Sequence, residues 1–175
     1  MTALPNTVAV MLCAMFAASG CAQKGFGLPS LLSRPAPDFS LPSLDSRQIS
    51  LTQLRGKVIV LDFWATWCTP CRQALPHLQV LAANADLARK GLVVLAIDER
   101  EQPATIRPFL DQNHYTFTVV QDTDASAEQA YDPPEFPTTI VIGRDGLVRA
   151  VISGWTQDTP HLIDAAVTDA LDANK

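Results

Sequence analysis

Two cysteines, Cys68 and Cys71, follow an apolar run at 58–64 and stand at the start of a segment with helical character. Cysteines three residues apart in the first turn of a helix can close a small disulfide ring. The helix N-terminus stabilises a thiolate on the first of them through its free N–H groups and its dipole. The motif therefore predicts a strand followed by a helix, with reversible dithiol–disulfide exchange at their junction.

The composition is that of one folded domain with short extensions. The chain has 175 residues, of which 47% are hydrophobic and 18% charged, so it can bury a sizeable core. Its 13 Lys and Arg residues against 18 Asp and Glu residues give a net charge of −5. A nucleic-acid partner usually needs a basic face, and the acidic balance argues against one.

Residues 1–21 predict a signal segment and not a part of the fold. The apolar run at 8–18 is shorter than the roughly 17–25 residues of a membrane span, and it suits the core of a secretory signal. The run leads into Ala-Ser-Gly-Cys ending at Cys21, which resembles a bacterial lipobox and implies export with a lipid on Cys21. The alternatives are ordinary cleavage after Ala22, an uncleaved anchor, a misassigned start, or an apolar helix docked on the domain.

The cysteine count argues against a metal site. Cys13 and Cys21 belong to the signal segment, so Cys68 and Cys71 remain for the domain. A structural zinc ion needs four ligands, and one such pair is too few. The histidines are scattered along the chain, at His77, His114 and His161. We therefore expect no metal, and no cofactor beyond the redox-active disulfide itself.

The rest of the chain divides into a tether at 22–34, with two glycines and a proline, and one domain at 35–175. The domain alternates apolar runs typical of strands with segments of helical periodicity. The predicted strands are 39–41, 48–51, 58–63, 92–97, 116–120, 138–142 and 147–153. The predicted helices are a single turn at 51–56, then 69–90 with a kink at Pro76, 104–112, 125–131 and 159–173. This alternation predicts an α/β sandwich with a mixed central sheet.

The sequence around the cysteines resembles the active-site strand and helix of the thioredoxin superfamily. Residues 61–71 read Leu-Asp-Phe-Trp-Ala-Thr-Trp-Cys-Thr-Pro-Cys, and Pro76 follows five residues later. The segments 36–42 and 54–58 are similar to the TlpA/ResA-like branch, with an N-terminal segment of the AhpC/TSA-redoxin type. The resemblance extends from residue 35 to residue 171. It implies a thioredoxin-like three-layer sandwich with helices on both faces, in an extracytoplasmic, membrane-tethered thiol–disulfide oxidoreductase.

Three residues receive roles from their position and from this resemblance. Cys68, at the helix N-terminus, is expected to be the exposed attacking thiolate, and Cys71, one turn inside, the shielded resolving thiol. Asp62 stands where the superfamily has a buried acid that accepts the proton of the resolving thiol, with a pKa raised by burial. The alternative is a partly solvated Asp at a strand end. Many TlpA/ResA-like relatives have Asn there and Glu three residues after the second cysteine; Ala74 occupies that later place, so the thioredoxin-type acid is expected.

Phe136 and Pro137 fall where the superfamily has its cis-proline loop. The resemblance implies a cis bond before Pro137 and a substrate strand that pairs with the backbone of residue 136; a trans proline is the alternative. Phe136 is bulkier than the usual residue and is expected to shield the disulfide or narrow the range of substrates. Trp67 is expected to form an exposed docking surface, and Trp64 to pack in the core. The segment 98–137 resembles an insertion linked to partner recognition, or it simply extends the sheet.

The expected function is the reduction of protein disulfides in the periplasm or at the outer cell surface. The protein would be a lipid-tethered monomer that draws electrons from a membrane thiol carrier. One alternative is a peroxiredoxin-like peroxidase, although Ala65 and Leu61 stand where a peroxidatic motif has Thr and Pro. The other is a non-enzymatic lipoprotein domain with a structural disulfide, although so small a ring gains little chain-entropy stabilisation.

Overall fold

Strands and helices alternate through the structure, a computed structural model that describes residues 31–173. The strands are β1 (Ser40–Pro42), β2 (Gln48–Ser50), β3 (Val58–Trp64), β4 (Leu92–Asp98), β5 (Thr118–Gln121), β6 (Thr138–Ile142) and β7 (Val148–Ser153). The helices are α1 (Thr69–Ala83), α2 (Ala85–Arg89), α3 (Pro103–Asn113), α4 (Ser126–Tyr131) and α5 (Thr159–Asp172), with a short 3₁₀ turn at Thr52–Leu54.

The central sheet has five strands in the order β5-β4-β3-β6-β7. Strands β3, β4 and β5 are parallel, whereas β6 is antiparallel to both β3 and β7. All seven residues of β3 are buried, as expected for a central strand that is covered on both faces. Phe63 pairs with Thr138, so the end of β3 that leads to the cysteines lies beside the residues that follow Pro137.

The two faces of β3 pack into two separate core clusters, which confirms the three-layer sandwich. Val58, Val60 and Trp64 belong to one cluster, together with apolar residues of α1, α3 and α5. Ile59, Leu61 and Phe63 belong to the other cluster, with residues of α4 and the β1–β2 hairpin. Because successive strand residues point to opposite faces, Asp62 faces the first cluster, which also contains Cys68 and Cys71.

One long helix was predicted at 69–90, but the structure divides it at Asn84. Helix α1 continues through Pro76 and ends at Ala83. Asn84 has extended backbone angles, and its Oδ1 accepts hydrogen bonds from the N–H groups of Asp86 and Leu87 at 3.0 and 3.1 Å. Asn is a favoured N-cap residue, and here it begins α2 by supplying an acceptor for two free N–H groups.

The described fold begins before residue 35, because residues assigned to the tether lie along β7. Ser33 N–H donates to the carbonyl of Val148 at 2.8 Å, and Val148 N–H donates to the carbonyl of Arg34 at 2.9 Å. Ala36 N–H donates to the carbonyl of Gly146 at 2.9 Å. The predicted signal segment, Cys21 and the tether up to residue 30 lie outside the described residues. Within 31–173, no helix is both long and apolar enough to cross a membrane.

Candidate active site

Cys68 and Cys71 are joined by a disulfide at the N-terminus of α1, with their Cα atoms 5.2 Å apart. Cys68 is the N-cap residue, and its sulfur accepts a hydrogen bond from the N–H of Cys71 at 3.2 Å. Pro70 lies in the first turn, where its missing N–H leaves no helical bond unmade. The sequence therefore places the first sulfur directly at the positive end of a 15-residue helix.

The prediction that Cys68 is exposed is wrong for this disulfide form. Cys68 is 4% exposed and Cys71 is fully buried, so the second cysteine is the more shielded of the two, as expected. Phe136 packs against the core cluster that contains both cysteines. Burial of Cys68 depends on how distant segments pack, and the local sequence gives no measure of it.

The loop before β6 forms one side of the site. The Phe136–Pro137 bond is cis, as predicted. Thr138 Oγ1 donates to the carbonyl of Glu135 at 2.7 Å, and Gly154 N–H donates to the carbonyl of Pro137 at 2.8 Å, which fixes the loop on both sides of the proline.

The two aromatic residues expected near the disulfide lie beside each other. The rings of Trp67 and Phe136 have their centres 6.4 Å apart. Trp67 is 62% exposed, as predicted for a docking residue, whereas Trp64 is buried against Phe109 and Phe117. Trp67, which directly precedes Cys68, and Phe136 therefore form one apolar surface.

Asp62 is fully buried, so the alternative of a solvated Asp is wrong. Its Oδ1 accepts a hydrogen bond from Thr139 Oγ1 at 2.6 Å, whereas its Oδ2 has no hydrogen-bond partner. Burial raises the pKa of Asp62 to about 7, and the bond from Thr139 offsets only part of that shift. The carboxyl can therefore take up and release a proton near neutral pH. Ala74, at the place where related proteins carry Glu, is also buried.

A second group of carboxylates, which the sequence reasoning missed, lies at the same edge of the sheet. Asp98 is buried at the end of β4, and this burial raises its pKa to about 7; the hydrogen bond from the Glu101 N–H offsets part of the rise, and the nearby Glu101 carboxylate adds to it. The Glu101 carboxylate accepts two hydrogen bonds from Thr66. The signal was present in the sequence: parallel strands end at one edge of a sheet, and acidic residues follow the run 92–97 directly. Within residues 31–173, no group of three or more His, Cys, Asp or Glu side chains could hold a metal ion.

Comparison with known proteins agrees with this geometry. The AhpC/TSA family model matches residues 32–151. A thiol-disulfide oxidoreductase ResA from Geobacillus thermodenitrificans is 34% identical over 119 residues, which cover 68% of this chain and 67% of that protein. A thiol-disulfide oxidoreductase ResA from Bacillus subtilis is 34% identical over 121 residues, which cover 68% of this chain and 65% of that protein.

Solved structures give the same result for the fold. A thiol:disulfide interchange protein of the thioredoxin family from Chlorobium tepidum superposes with a TM-score of 0.67 at 28% identity. The match covers 78% of this chain and 95% of that one. The sheet order, the disulfide at the start of α1 and the neighbouring cis-proline thus occur on a thioredoxin-like fold.

Proposed function

Since the chain belongs to the AhpC/TSA family and is a ResA-like thiol–disulfide oxidoreductase, we propose that Cys68 and Cys71 reduce disulfides of other proteins. The observation that carries this proposal is the disulfide at the N-terminus of α1, bordered by cis-Pro137 and placed on the sheet face of Asp62. Each of the three supplies a different requirement of the exchange: a nucleophile, a surface for the substrate and a proton acceptor.

In the first step, the thiolate of reduced Cys68 attacks one sulfur of the substrate disulfide. A bond forms between Cys68 and that sulfur, the substrate S–S bond breaks, and the second substrate sulfur leaves as a thiolate that takes up a proton. In the second step, the Cys71 thiolate attacks the sulfur of Cys68. The Cys68–Cys71 bond forms and the mixed disulfide breaks, so the substrate gains two electrons and the enzyme loses two.

Asp62 is the acceptor for the proton that Cys71 must lose before it attacks. The carboxyl lies on the same face of the sheet as Cys71, and its pKa of about 7 matches the operating pH. Oδ2 has no hydrogen-bond partner and is the free acceptor position. Thr139 holds the other oxygen and so fixes the plane of the carboxyl.

Trp67 and Phe136 provide the surface on which the substrate docks. Trp67 is largely exposed and lies directly before Cys68, and Phe136 precedes the cis-proline. An extended substrate segment pairs with the backbone of Phe136 and brings its disulfide to Cys68. Phe136 narrows the range of substrates because its bulky ring lies beside Trp67 and packs against the core cluster that contains the cysteines.

The protein acts outside the cytoplasm, tethered by a lipid on Cys21, and takes electrons from a membrane thiol carrier. The lipobox-like sequence that ends at Cys21 supports the tether. Mass spectrometry of the membrane fraction is expected to detect a diacylated Cys21, and a Cys21→Ser variant should leave that fraction. An unmodified wild-type protein in the soluble fraction would exclude the lipid anchor and leave the thiol chemistry unaffected.

The reaction is tested with a chain that begins at Leu31, in which Cys68 and Cys71 are the two cysteines. Wild type should reduce insulin or a scrambled-disulfide protein, and Cys68→Ser should abolish the activity. Cys71→Ser should still complete the first step and accumulate a mixed disulfide with the substrate. Reduction by Cys68→Ser at the wild-type rate would contradict the assignment of the nucleophile.

A further inference from the structure

All three polar groups of Thr66, which lies two residues before Cys68, form hydrogen bonds. Its N–H donates to Glu101 Oε2 at 2.5 Å and its hydroxyl donates to Glu101 Oε1 at 2.6 Å. Its carbonyl accepts a hydrogen bond from Arg72 Nε at 2.8 Å. Thr66 is 8% exposed, Glu101 is half-buried and Arg72 is exposed, so the Thr66 end of each bond is the shielded one. The backbone between the end of β3 and the first cysteine is thereby fixed from two directions.

The loop that carries Glu101 is itself held by neighbours other than Thr66. Glu101 N–H donates to Asp98 Oδ1 at 2.9 Å, and Gln121 Nε2 donates to the Glu101 carbonyl at 3.3 Å. Glu99 N–H donates to the carbonyl of Trp64 at 3.1 Å. These bonds join the loop to the ends of β3, β4 and β5. Glu101 is therefore a fixed point on the sheet to which Thr66 is attached.

The segment that Thr66 begins carries the reactive groups. Trp67 points into solvent, and its ring contacts Phe136 at 6.4 Å between centres. Cys68 follows, and its N–H donates to the carbonyl of Ala65 at 3.2 Å. A displacement of Thr66 would shift both Trp67 and the Cys68 sulfur relative to the cis-proline loop. Errors of about 1 Å in the placement of reacting groups can cost about a hundredfold in rate.

We propose that Glu101 is a positioning residue for thiol–disulfide exchange, and that its bidentate hold on Thr66 sets Trp67 and Cys68 against an incoming substrate disulfide. The proposal rests on the function proposed above, because it concerns the approach of a protein disulfide to Cys68. Glu101 acts through Thr66 and through hydrogen bonds, not through its charge. Arg72 completes the hold from the first turn of α1.

Two substitutions separate hydrogen bonding from charge. Glu101→Gln removes the charge but can keep both bonds, since its Oε1 can accept from the Thr66 N–H and its Nε2 can donate to the hydroxyl oxygen. Glu101→Leu has a similar size and removes both bonds. We expect Glu101→Leu to lower the second-order rate of insulin reduction by about tenfold or more, and Glu101→Gln to stay within about threefold of wild type.

The rate of alkylation by a small reagent distinguishes a positioning role of Glu101 from a purely structural one. Alkylation of reduced Cys68 by iodoacetamide needs no docked substrate, so its rate and pH profile should be nearly equal in the two variants. Unfolding midpoints are measured alongside, and the rates are compared well below the lower midpoint. Equal losses of insulin reduction in Glu101→Gln and Glu101→Leu, or no loss in either, would overturn the proposal.

Substitutions of Thr66 keep the test decisive if Glu101→Leu does not fold. Thr66→Val lacks the hydroxyl bond but retains the N–H bond, whereas Thr66→Ser retains both. The rate of insulin reduction by Thr66→Val should lie between that of wild type and the tenfold lower rate expected for Glu101→Leu. Equal rates for the two Thr66 variants would overturn the proposal. Failure of wild type itself to reduce insulin would instead contradict the proposed function, so the two failures are distinguishable.

Discussion

At the scale of single residues, burial sets the chemistry of Asp62. An ionised carboxylate loses several kcal/mol of hydration when it is buried, whereas one hydrogen bond to an ionised group returns about 1.5–3 kcal/mol. Asp62 has one such bond, from Thr139, and a second oxygen with no hydrogen-bond partner. The loss of hydration therefore outweighs the bond, and the pKa rises to about 7.

This raised pKa predicts a specific pH dependence of stability. Between about pH 4 and pH 7, folded Asp62 holds a proton that the unfolded chain has released, so the free energy of unfolding falls as the pH rises. One such proton corresponds to roughly 1.4 kcal/mol per pH unit, and the fall ends near the folded pKa of about 7. Asp62→Asn lacks this term and can still accept the bond from Thr139.

The stability of Asp62→Asn minus that of wild type should therefore increase by roughly 4 kcal/mol from pH 4 to pH 7 and then remain level. Urea unfolding of wild type and of Asp62→Asn, each with its disulfide intact, at half-unit steps of pH measures this difference. The buried Asp98 is present in both proteins, so its contribution cancels. A difference that is independent of pH would show that Asp62 is already ionised at pH 4.

At the scale of elements, the start of α1 determines the reactivity of Cys68. Two effects on its thiol oppose each other. The Cys71 N–H points at the sulfur from 3.2 Å and the helix dipole favours a negative charge there, whereas the burial of Cys68 disfavours it. A hydrogen-bond donor already directed at the sulfur needs no rearrangement, so we expect stabilisation of the thiolate to prevail.

The reduced protein should accordingly show a Cys68 thiol with a pKa at least about one unit below the free value of about 8.5. Iodoacetamide reaction rates against pH, in a Cys71→Ser variant, report Cys68 alone. The matched Cys68→Ser variant reports Cys71, which is expected to react only at higher pH because it is fully buried. A Cys68 pKa at or above 8.5 would show that burial outweighs the helix N-terminus.

At the scale of the whole molecule, the chain before residue 37 completes the edge of the sheet. Ser33, Arg34 and Ala36 bond to the backbone of residues 146–148, and Leu31 packs against the core cluster on the α4 side. The β6–β7 turn lies at the end of the sheet opposite the cysteines, because Ile142 pairs with Ile59 while Thr138 pairs with Phe63. This edge therefore contributes to stability without touching the site.

A chain that begins at Pro37 should be less stable than one that begins at Leu31. Three backbone hydrogen bonds to residues 146–148 are lost, at about 1 kcal/mol each, so a loss of about 3 kcal/mol in the free energy of unfolding is expected. The rate of insulin reduction, measured where both chains are folded, should be equal. Equal stability would show that residues 31–36 do not contribute to the folded domain, and a slower rate would mean that these residues influence the site.

Local patterns predicted most of the architecture. The strand at 138–142 has the predicted bounds, and the helix at 159–173 ends within one residue of α5. In these segments the apolar residues either recur at a regular spacing or form a continuous run, and that pattern predicts which residues are buried. The division at Asn84 was missed because apolar residues continue on both sides of it, and only the side-chain cap of Asn84 ends the pattern.

The sequence alone predicted the dithiol–disulfide chemistry. Cysteines three residues apart after a buried strand predict a small redox-active disulfide, and the resemblance to the thioredoxin superfamily predicts a buried acid at Asp62. The tertiary structure decided what surrounds the two cysteines: Cys68 is buried, the ring of Phe136 lies beside that of Trp67, and Thr66 is bound by Glu101 from 35 residues away. Chemistry is a property of residue types at short spacing, whereas accessibility and orientation arise from contacts between distant segments that no local pattern encodes.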